Sequence, residues 1–233
     1  MEHLQYFDEL DSTQTYLKEH AKTLPHQTVV CAGRQTAGRG RYERTWVSAE
    51  GGLYFSVLLK PAKTDFLPNL TQLMALSVCR TLEDLGLTPA LKWPNDVQVN
   101  GQKICGILSE ALFNGPTCNV VLGVGINVAQ EGLANVGQPA TSLKAQGVEI
   151  APRVLLERVL GYFWQDYDAL LCRGFEAIRA AYVHRFAALG KVICVHNDTQ
   201  TISGTAEDIS SRGTLLLRSA GQLKEIYIGD VLL

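Results

Sequence analysis

The spacing of apolar positions predicts helices in two long segments of the chain, and polar residues that commonly precede a helix predict a short one. Residues 68–85 place leucines and other apolar side chains at helical spacing, and Gly86 follows where helices commonly end. The pattern over residues 152–189 is again helical and predicts two helices with a break near Arg173-Gly174. A shorter helix is predicted over about residues 13–22.

Strand-like runs occupy much of the remaining chain. Two such runs, over residues 27–33 and 52–60, flank a polar segment rich in arginine and glycine. Asn100-Gly101 and Asn114-Gly115 each lie between two further strand-like runs, which is a strong hairpin signal. Residues 90–128 are therefore predicted to form an antiparallel meander.

The pattern changes after Gly190 to short alternating runs separated by turns. Runs of this length and spacing predict a small barrel, added to the larger unit as a C-terminal appendage. We therefore expect one domain over residues 1–188 and a second over residues 189–233.

Side chains alternate between the two faces of a strand, which assigns faces in the last two strands of the meander. In the strand that starts at residue 102, one face is expected to carry Lys103, Cys105, Ile107 and Ser109, and the other Ile104, Gly106, Leu108 and Glu110. The next strand has an apolar face that should pack on helices, made of Cys118, Val120, Leu122, Val124, Ile126 and Val128. Its other face has glycines at 123 and 125, which leave either a hollow or a tight contact between layers, with Asn127 at the rim.

Composition and charge limit the classes of function. The chain is 46% hydrophobic and 19% charged with a net charge of −2, which argues against broad electrostatic binding to nucleic acid. The chain contains no run of about 18 apolar residues, so no membrane span is predicted. The first residues do not resemble a signal peptide. The six cysteines are scattered without a CxxC pair, as expected for reduced thiols in a cytoplasmic protein.

The segment from Gln35 to Trp46 is the most basic in the chain. It combines three arginines with two glycines and has neither helical nor strand periodicity. Arginine offers a fixed fork of donors and glycine lets the backbone approach a ligand, so the segment could surround a phosphate. A solvated surface loop is the alternative, because basic loops are common at protein surfaces.

A second polar group is expected where Lys92-Trp93-Pro94-Asn95-Asp96 interrupts a strand, since proline removes a ladder donor. The Asn100-Gly101 hairpin should bring Lys103 back close to Asp96, either in a shared site or as a plain cross-strand salt bridge. Ser12 and Thr13 could cap the first helix or hold a polar ligand group. The glycine signatures of dinucleotide and P-loop sites are absent, and the five histidines are isolated.

Taken together, four segments resemble biotin–protein ligases. They are Gln35-Thr36-Ala37-Gly38-Arg39-Gly40-Arg41 with Trp46 downstream, Lys92-Trp93-Pro94-Asn95-Asp96, Lys103 to Glu110, and Gly123 to Asn127. Each segment alone is weak, but their order along the chain makes the resemblance specific. It implies an α+β fold, in which a mixed sheet has helices packed on one face and a small SH3-like β-barrel follows at the C-terminus.

The resemblance also implies an enzyme that uses ATP, with Mg²⁺, to convert biotin to biotinyl-5′-AMP. It then transfers biotin to a lysine of a biotin carboxyl carrier protein domain, of the acetyl-CoA carboxylase type. The absence of a serine or cysteine nucleophile beside histidine fits this chemistry, which needs no covalent enzyme intermediate. A lipoate or octanoyl ligase of the same architecture is one alternative, and a biotin-binding module without turnover is another.

The resemblance assigns roles residue by residue. The expected catalytic residues are Lys103, Arg41 and Asp96. The residues expected to hold biotin are Ser12, Thr13, Gln14, Gln35, Arg39, Gly40, Arg41, Lys103 and Gly106. Those expected near ATP or the adenylate are Arg39, Arg41, Trp46, Asn95, Lys103 and Asn127, and no metal site is expected within the chain itself.

Two departures from the family pattern matter. The family commonly has asparagine where this chain has Gln14, so the contact made by that longer amide is open. Repressor-type members carry an N-terminal helix-turn-helix domain, whereas the first motif here starts at residue 11. We therefore expect a monofunctional ligase that does not bind an operator, and we leave open whether it forms a homodimer.

Overall fold

The computed structural model describes residues 3–133, 136–197 and 200–232, with the backbone alone at residue 43. Seven of its strands form a mixed sheet in the spatial order β1-β2-β3-β7-β6-β5-β4. They are β1 (Leu4–Leu10), β2 (Thr28–Gln35), β3 (Leu53–Leu59), β4 (Pro89–Lys92), β5 (Asp96–Val99), β6 (Gln102–Asn114) and β7 (Thr117–Ile126). Only β1 and β2 pair in parallel among these strands.

In the described part of the chain, four α-helices accompany the sheet, and all lie where helices are predicted from the sequence. They are α1 (Thr13–His20), α2 (Leu67–Asp84), α3 (Pro152–Arg173) and α4 (Arg179–His184). The main core lies between one face of the sheet and α2, α3 and α4. On the other face, α1 covers only one end, where it buries Leu17 against Val30, Leu58 and Val121. None of the helices that the structure describes is long and apolar enough to cross a membrane.

The predicted meander over residues 90–128 is confirmed. Strands β4 to β7 are antiparallel neighbours in chain order. Asn100 and Gly101 both have positive φ angles, of 52° and 73°, as the predicted tight hairpin turn requires. The Trp93-Pro94 peptide bond is cis and lies in the turn between β4 and β5. This turn places Lys92 opposite Asp96 at the end of the sheet.

The alternation predicted for β6 is wrong at Lys103 and Ile104. Val97 of β5 faces Cys105, whereas the next residue, Gln98, faces Lys103, so Ile104 is an extra residue in the ladder. Such a β-bulge reverses the side-chain alternation on the bulged strand. Lys103 therefore lies on the same face as Gly106, and Ile104 and Cys105 are both buried in the main core.

The alternation predicted for β7 is confirmed. All six residues of its apolar face belong to the core beneath α2 and α3. The glycines at 123 and 125 point to the opposite face, beside the end of the sheet that α1 covers. One face of the sheet is thus buried in the main core, and α1 leaves the other face partly open.

The C-terminal strands form a five-stranded antiparallel sheet in the order β11-β10-β9-β8-β12. They are β8 (Val192–His196), β9 (Thr201–Ile209), β10 (Leu215–Ser219), β11 (Gln222–Ile226) and β12 (Asp230–Leu232). The apolar side of this sheet is continuous with the main core. The turn before β10 is fixed to the larger unit, because Trp93 Nε1 and Gln72 Nε2 both donate hydrogen bonds to the carbonyl of Gly213.

Candidate functional site

A cavity of about 580 Å³ opens on the face of the large sheet that α1 leaves uncovered. Its floor comes from β6 and β7, and its walls come from the start of α1, the basic segment after β2, the turn between β4 and β5, and β12. A volume of this size lies within the usual range for small-molecule sites. Every site residue predicted from the sequence lines this cavity except Asn127.

Lys103 and Asp96 form an ion pair at one end of the cavity. Their Nζ and Oδ1 atoms lie 2.8 Å apart, and their side chains are 15% and 13% exposed. Oδ1 nevertheless accepts no well-aligned hydrogen bond from the residues that the structure describes. The contact is an ion pair without a well-formed hydrogen bond. Attraction between charges requires proximity, whereas a hydrogen bond also requires alignment. The Lys103 ammonium thus keeps donors for a ligand.

The indole ring of Trp46 lies in the hollow that the glycines leave. A Cβ atom on Gly106 would lie only 2.7 Å from Cζ3 of Trp46, and a Cβ on Gly125 would overlap Nε1. Nζ of Lys103 lies 5.3 Å from the centroid of the indole, within the range of a cation–π contact. The indole Nε1 is buried and has no hydrogen-bond partner in the described part of the chain. The hollow is therefore a slot for a side chain of the basic segment.

The basic segment is held across the cavity by Arg41. Its Nη1 donates hydrogen bonds to Oδ1 of Asn95 at 3.0 Å and to Oδ1 of Asp230 at 3.1 Å. Arg44 pairs with the other oxygen of Asp230 at 2.7 Å. The segment thus contacts both the turn between β4 and β5 and the C-terminal sheet.

Arg39 is the most available cation of the site. It lines the cavity and is exposed, and it forms no ion pair with any side chain that the structure describes. Together with Lys103 and Arg41 it contributes positive charge to the lining of the cavity. Such a lining suits a phosphate or a carboxylate, because guanidinium and ammonium groups form strong charge-assisted hydrogen bonds with both.

The opposite end of the cavity is polar but carries no charge of its own. Ser12 caps α1, since its Oγ accepts a hydrogen bond from the backbone N–H of Thr15, and it also lines the cavity. Oε1 of Gln35 accepts from the backbone N–H of Thr13, and the hydroxyl of Thr13 lies 2.8 Å from the hydroxyl of Ser56. The cap and the ligand-holding interpretations of this segment are therefore compatible.

Gln14 completes the uncharged end. Its Nε2 donates to Oε2 of Glu110 at 2.9 Å and to the carbonyl of Val121 at 3.1 Å. Lys18 pairs with the other oxygen of Glu110 at 2.8 Å. Lys18 was not predicted from the sequence, and Glu110 was placed on the face of Gly106 and at the end of a motif but was not assigned to the site.

Asn127 lies outside the main cavity. Its Nδ2 donates to the carbonyl of Thr141 at 2.9 Å, and its Oδ1 accepts from Nε2 of Gln130 at 2.5 Å. It borders a side chamber of about 40 Å³ beyond Trp46 and Lys103. Its observed contacts hold neighbouring segments in place, and a direct contact with ATP stays a prediction.

The site contains none of the usual nucleophiles in a reactive arrangement. Cys105 lies on the strand that carries Lys103, but burial raises the pKa of its thiol well above the ordinary value. The described residues contain no group of three or more His, Cys, Asp or Glu side chains that could hold a metal ion. The arrangement can therefore bring together and neutralise anions, and it offers no side chain suited to covalent catalysis.

Comparison with known families identifies this architecture. Residues 6–127 match the model of the biotin/lipoate A/B protein ligase family, and residues 189–233 match that of the biotin protein ligase C-terminal domain. The first match alone covers more than half of the chain. The chain belongs to the biotin/lipoate A/B protein ligase family.

Individual relatives lie on the biotin side of this family. The chain is 35% identical to the bifunctional ligase/repressor BirA of Bacillus subtilis, over 99% of this chain and 74% of that protein. It is 33% identical to the biotin–[acetyl-CoA-carboxylase] ligase of Paracoccus denitrificans, over 95% of this chain and 96% of that one. The solved biotin protein ligase of Aquifex aeolicus in complex with biotin and ATP is 31% identical, with a TM-score of 0.89 over 100% of this chain and 98% of its own.

Proposed function

We propose that this protein is an ATP-dependent ligase that activates biotin as biotinyl-5′-AMP and transfers it to a lysine of a biotin carboxyl carrier protein domain. The observation that carries the proposal is the polarity of the cavity, in which Lys103 lies beside Trp46 and Gly106 at one end and the uncharged amide of Gln14 lies against Gly123 at the other. Biotin has the same polarity, with a carboxylate at one end and a cyclic urea at the other. The similarity to a ligase solved with biotin and ATP supports the same assignment.

Lys103 would act in the first step. An oxygen of the biotin carboxylate attacks the α-phosphorus of ATP, a new O–P bond forms, and pyrophosphate leaves with the electrons of the broken bond. Two anions must approach each other, so the main barrier is electrostatic. The Lys103 ammonium, oriented by Asp96 at 2.8 Å, would neutralise both. Arg39 and Arg41 would add positive charge from the basic segment.

The second step needs exclusion of water more than a new catalytic group. The amine of the acceptor lysine attacks the carbonyl of the mixed anhydride, an amide forms, and AMP leaves. Water would attack the same carbonyl, so the adenylate must stay covered until the carrier domain arrives. The basic segment, which Arg41 ties to Asn95 and Asp230, would provide that cover.

Asp96 also fits the magnesium ion that accompanies ATP. Magnesium in ATP-using sites commonly binds one or two carboxylates together with substrate phosphates. Asp96 is a cavity carboxylate that pairs with one cation, Lys103, through Oδ1, whereas Asp230 is shared by two arginines. The ion would reduce the negative charge of the triphosphate.

The uncharged end of the cavity favours biotin over lipoate. The ring of lipoate is an apolar disulfide, which would leave unused the hydroxyl hydrogen of Ser12 and the remaining lone pair of the Gln14 oxygen. Sites built to hydrogen-bond a substrate discriminate strongly against an analogue that lacks the matching group. We therefore assign the lipoate or octanoyl ligase as the less favoured alternative.

One assay tests the proposal. Purified protein is incubated with ATP, Mg²⁺ and either biotin or lipoate, while pyrophosphate release and transfer to a biotin carboxyl carrier domain are followed. We expect both signals with biotin and neither with lipoate. Faster turnover with lipoate would assign the alternative ligase, and biotin binding without pyrophosphate release would assign a binding module.

A further inference from the structure

The amide of Gln14 can offer a ligand an acceptor but no donor. An amide NH₂ group has two hydrogens, and here Glu110 and Val121 accept one each. The carbonyl oxygen of the same amide accepts a hydrogen bond from Oγ of Ser56 at 3.3 Å. Because a carbonyl oxygen has two lone pairs, one lone pair remains for a ligand in the cavity that Gln14 lines.

Glu110 prevents the opposite orientation of the amide. If the Gln14 amide turned over, its oxygen would face both the Glu110 carboxylate and the Val121 carbonyl, and no hydrogen would lie between these acceptors. Burial raises the pKa of Glu110, but hydrogen bonds from Lys18 and Gln14 and the charges of Lys18 and Arg39 lower it by more. Glu110 is thus ionised at neutral pH, where it can only accept.

Gly123 explains how the longer amide fits. Gln14 is 4% exposed and lies against the sheet, and a Cβ atom on Gly123 would overlap its Oε1. Without a side chain at 123 the amide oxygen can sit against β7. The position of Gln14 is therefore fixed from three sides, by Glu110, Ser56 and the backbone of β7.

The charge of the cavity determines which part of biotin meets this amide. The carboxylate belongs beside the Lys103 ammonium, which lies next to Trp46 and Gly106, so the cyclic urea belongs at the end where Gln14 lies against Gly123. A urea offers two N–H donors, and each needs an acceptor when it is buried. Ionised Glu110 is too far behind Gln14 to serve, since it does not line the cavity.

We propose that Glu110, paired with Lys18, is a positioning residue that orients the Gln14 amide so that its oxygen accepts a hydrogen bond from a ureido N–H of biotin. This inference rests on the proposed function. It also accounts for the glutamine that replaces the family's usual asparagine, because the longer side chain reaches Glu110 and Val121 while its oxygen still borders the cavity.

Glu110→Gln tests the inference, because a carboxamide at 110 can accept from Gln14 in one orientation and donate to it in the other. Calorimetry without ATP would compare biotin with two cyclic carbamate analogues, in each of which one ureido N–H is replaced by oxygen. One analogue has oxygen in place of the ureido N–H that faces Gln14. We expect the wild-type protein to bind this analogue about 10- to 100-fold more weakly than biotin, because its ring oxygen and the Gln14 oxygen, both acceptors, then face each other. In Glu110→Gln a carboxamide N–H can donate to the turned Gln14 oxygen and only the Val121 carbonyl still opposes the turn, so this ratio should shrink at least about fivefold, while biotin itself weakens about three- to tenfold.

Controls separate orientation from general loosening. Glu9→Gln neutralises a carboxylate of an exposed ion pair with Arg34 on the same sheet and should keep wild-type affinities. Should Glu110→Gln fail to fold, Gln14→Met removes the amide at similar length, and it should weaken biotin and bind the two analogues with nearly equal affinity.

The outcomes distinguish the inference from the proposed function. Wild-type affinities and ratios in Glu110→Gln would overturn the inference alone. Equal weakening of biotin and both analogues in that variant would also overturn it, since a loosened pocket would not change the ratio. Absence of biotin binding by the wild-type protein would overturn the proposed function, and the inference with it.

Discussion

Lys103 is the residue on which the chemistry of the site depends most. Its ammonium lies between Asp96 and the face of Trp46, so it is partly desolvated on both sides but retains donors for a ligand. A charge held in this way is already oriented for a developing anion and needs little rearrangement during the reaction. Asp96 supplies the orientation and Trp46 the low-polarity surroundings.

We expect Lys103→Ala to lower the rate of adenylate formation by about 100- to 1,000-fold, because removing one group aimed at a transition-state charge typically has this effect. Pyrophosphate release in single-turnover mixtures measures it. Lys63→Ala, which removes an exposed lysine before α2, is the matched control and should react at the wild-type rate. Undiminished pyrophosphate release in Lys103→Ala would remove Lys103 from the mechanism.

The thiols provide a prediction on burial and pH. Burial raises the pKa of Cys31 to about 12, so its thiolate, the reactive form, is scarce at pH 8. Cys172 is exposed. In native protein at pH 8 we expect a thiol reagent to label Cys172 first and Cys31 only after unfolding, as peptide mass spectrometry would measure. Equal labelling rates in the native state would contradict the buried position of Cys31.

At the scale of elements, the bulge in β6 decides the composition of the site. Without the bulge, strict alternation would direct Lys103 to the same face as Cys105, into the core and away from the cavity. Alternation in the sequence cannot reveal the bulge, because Ile104 and Cys105 are both apolar and either could face the core. The proximity of Lys103 to Asp96 could be predicted from the hairpin turn, but its face could not.

The predictability of other elements follows the strength of their patterns. Helix α2 and the apolar face of β7 were predictable, since long periodic runs are buried on one side. Strand β1 was not predicted because it is an edge strand with alternately exposed positions, and β12 is only three residues long. Short or half-exposed strands leave little hydrophobic signal in a sequence.

Helix α3 offers a test of element stability independent of the site. Gly161 is exposed in this helix, and a Cβ atom there would have no heavy atom within 4 Å. Alanine is about 1 kcal/mol more favourable than glycine in a helix interior. Gly161→Ala should therefore raise the free energy of unfolding by about 0.5–1 kcal/mol, measured by denaturant titration, with ligase activity unchanged. A lower free energy of unfolding would mean that the helix is not regular at this position.

At the scale of the whole molecule, the C-terminal sheet takes part in the site. Asp230 comes from its edge strand and pairs with both Arg41 and Arg44 of the basic segment. Arg41 and Asp230 lie 189 positions apart in the chain, so no local pattern in the sequence predicts their contact. This contact links the basic segment, which borders the cavity, to the C-terminal sheet. From the sequence, that sheet was predicted only as an appendage to the larger unit.

Asp230→Asn should loosen this cover. If the protein is a biotin ligase, we expect biotinyl-5′-AMP to dissociate about three- to tenfold faster, because one partly buried ion pair contributes on the order of 1 kcal/mol. Release of radiolabelled adenylate measures the rate. Glu207→Gln, which neutralises an exposed pair with Arg218 in the same sheet, should release it at the wild-type rate. Matching rates in Asp230→Asn would show that the C-terminal sheet does not restrain the basic segment.

The slot that glycines 106 and 125 provide for Trp46 has an optical consequence. The chain has three tryptophans, of which Trp93 is 2% exposed in the core, whereas the indole of Trp46 faces the cavity with a lysine ammonium 5.3 Å from its centroid. Indole emission is sensitive to nearby charge and to water. Entry of biotin beside Lys103 would change both around this ring, so that the intrinsic fluorescence of Trp46, identified by its loss in Trp46→Phe, would report occupancy of the site without any added dye.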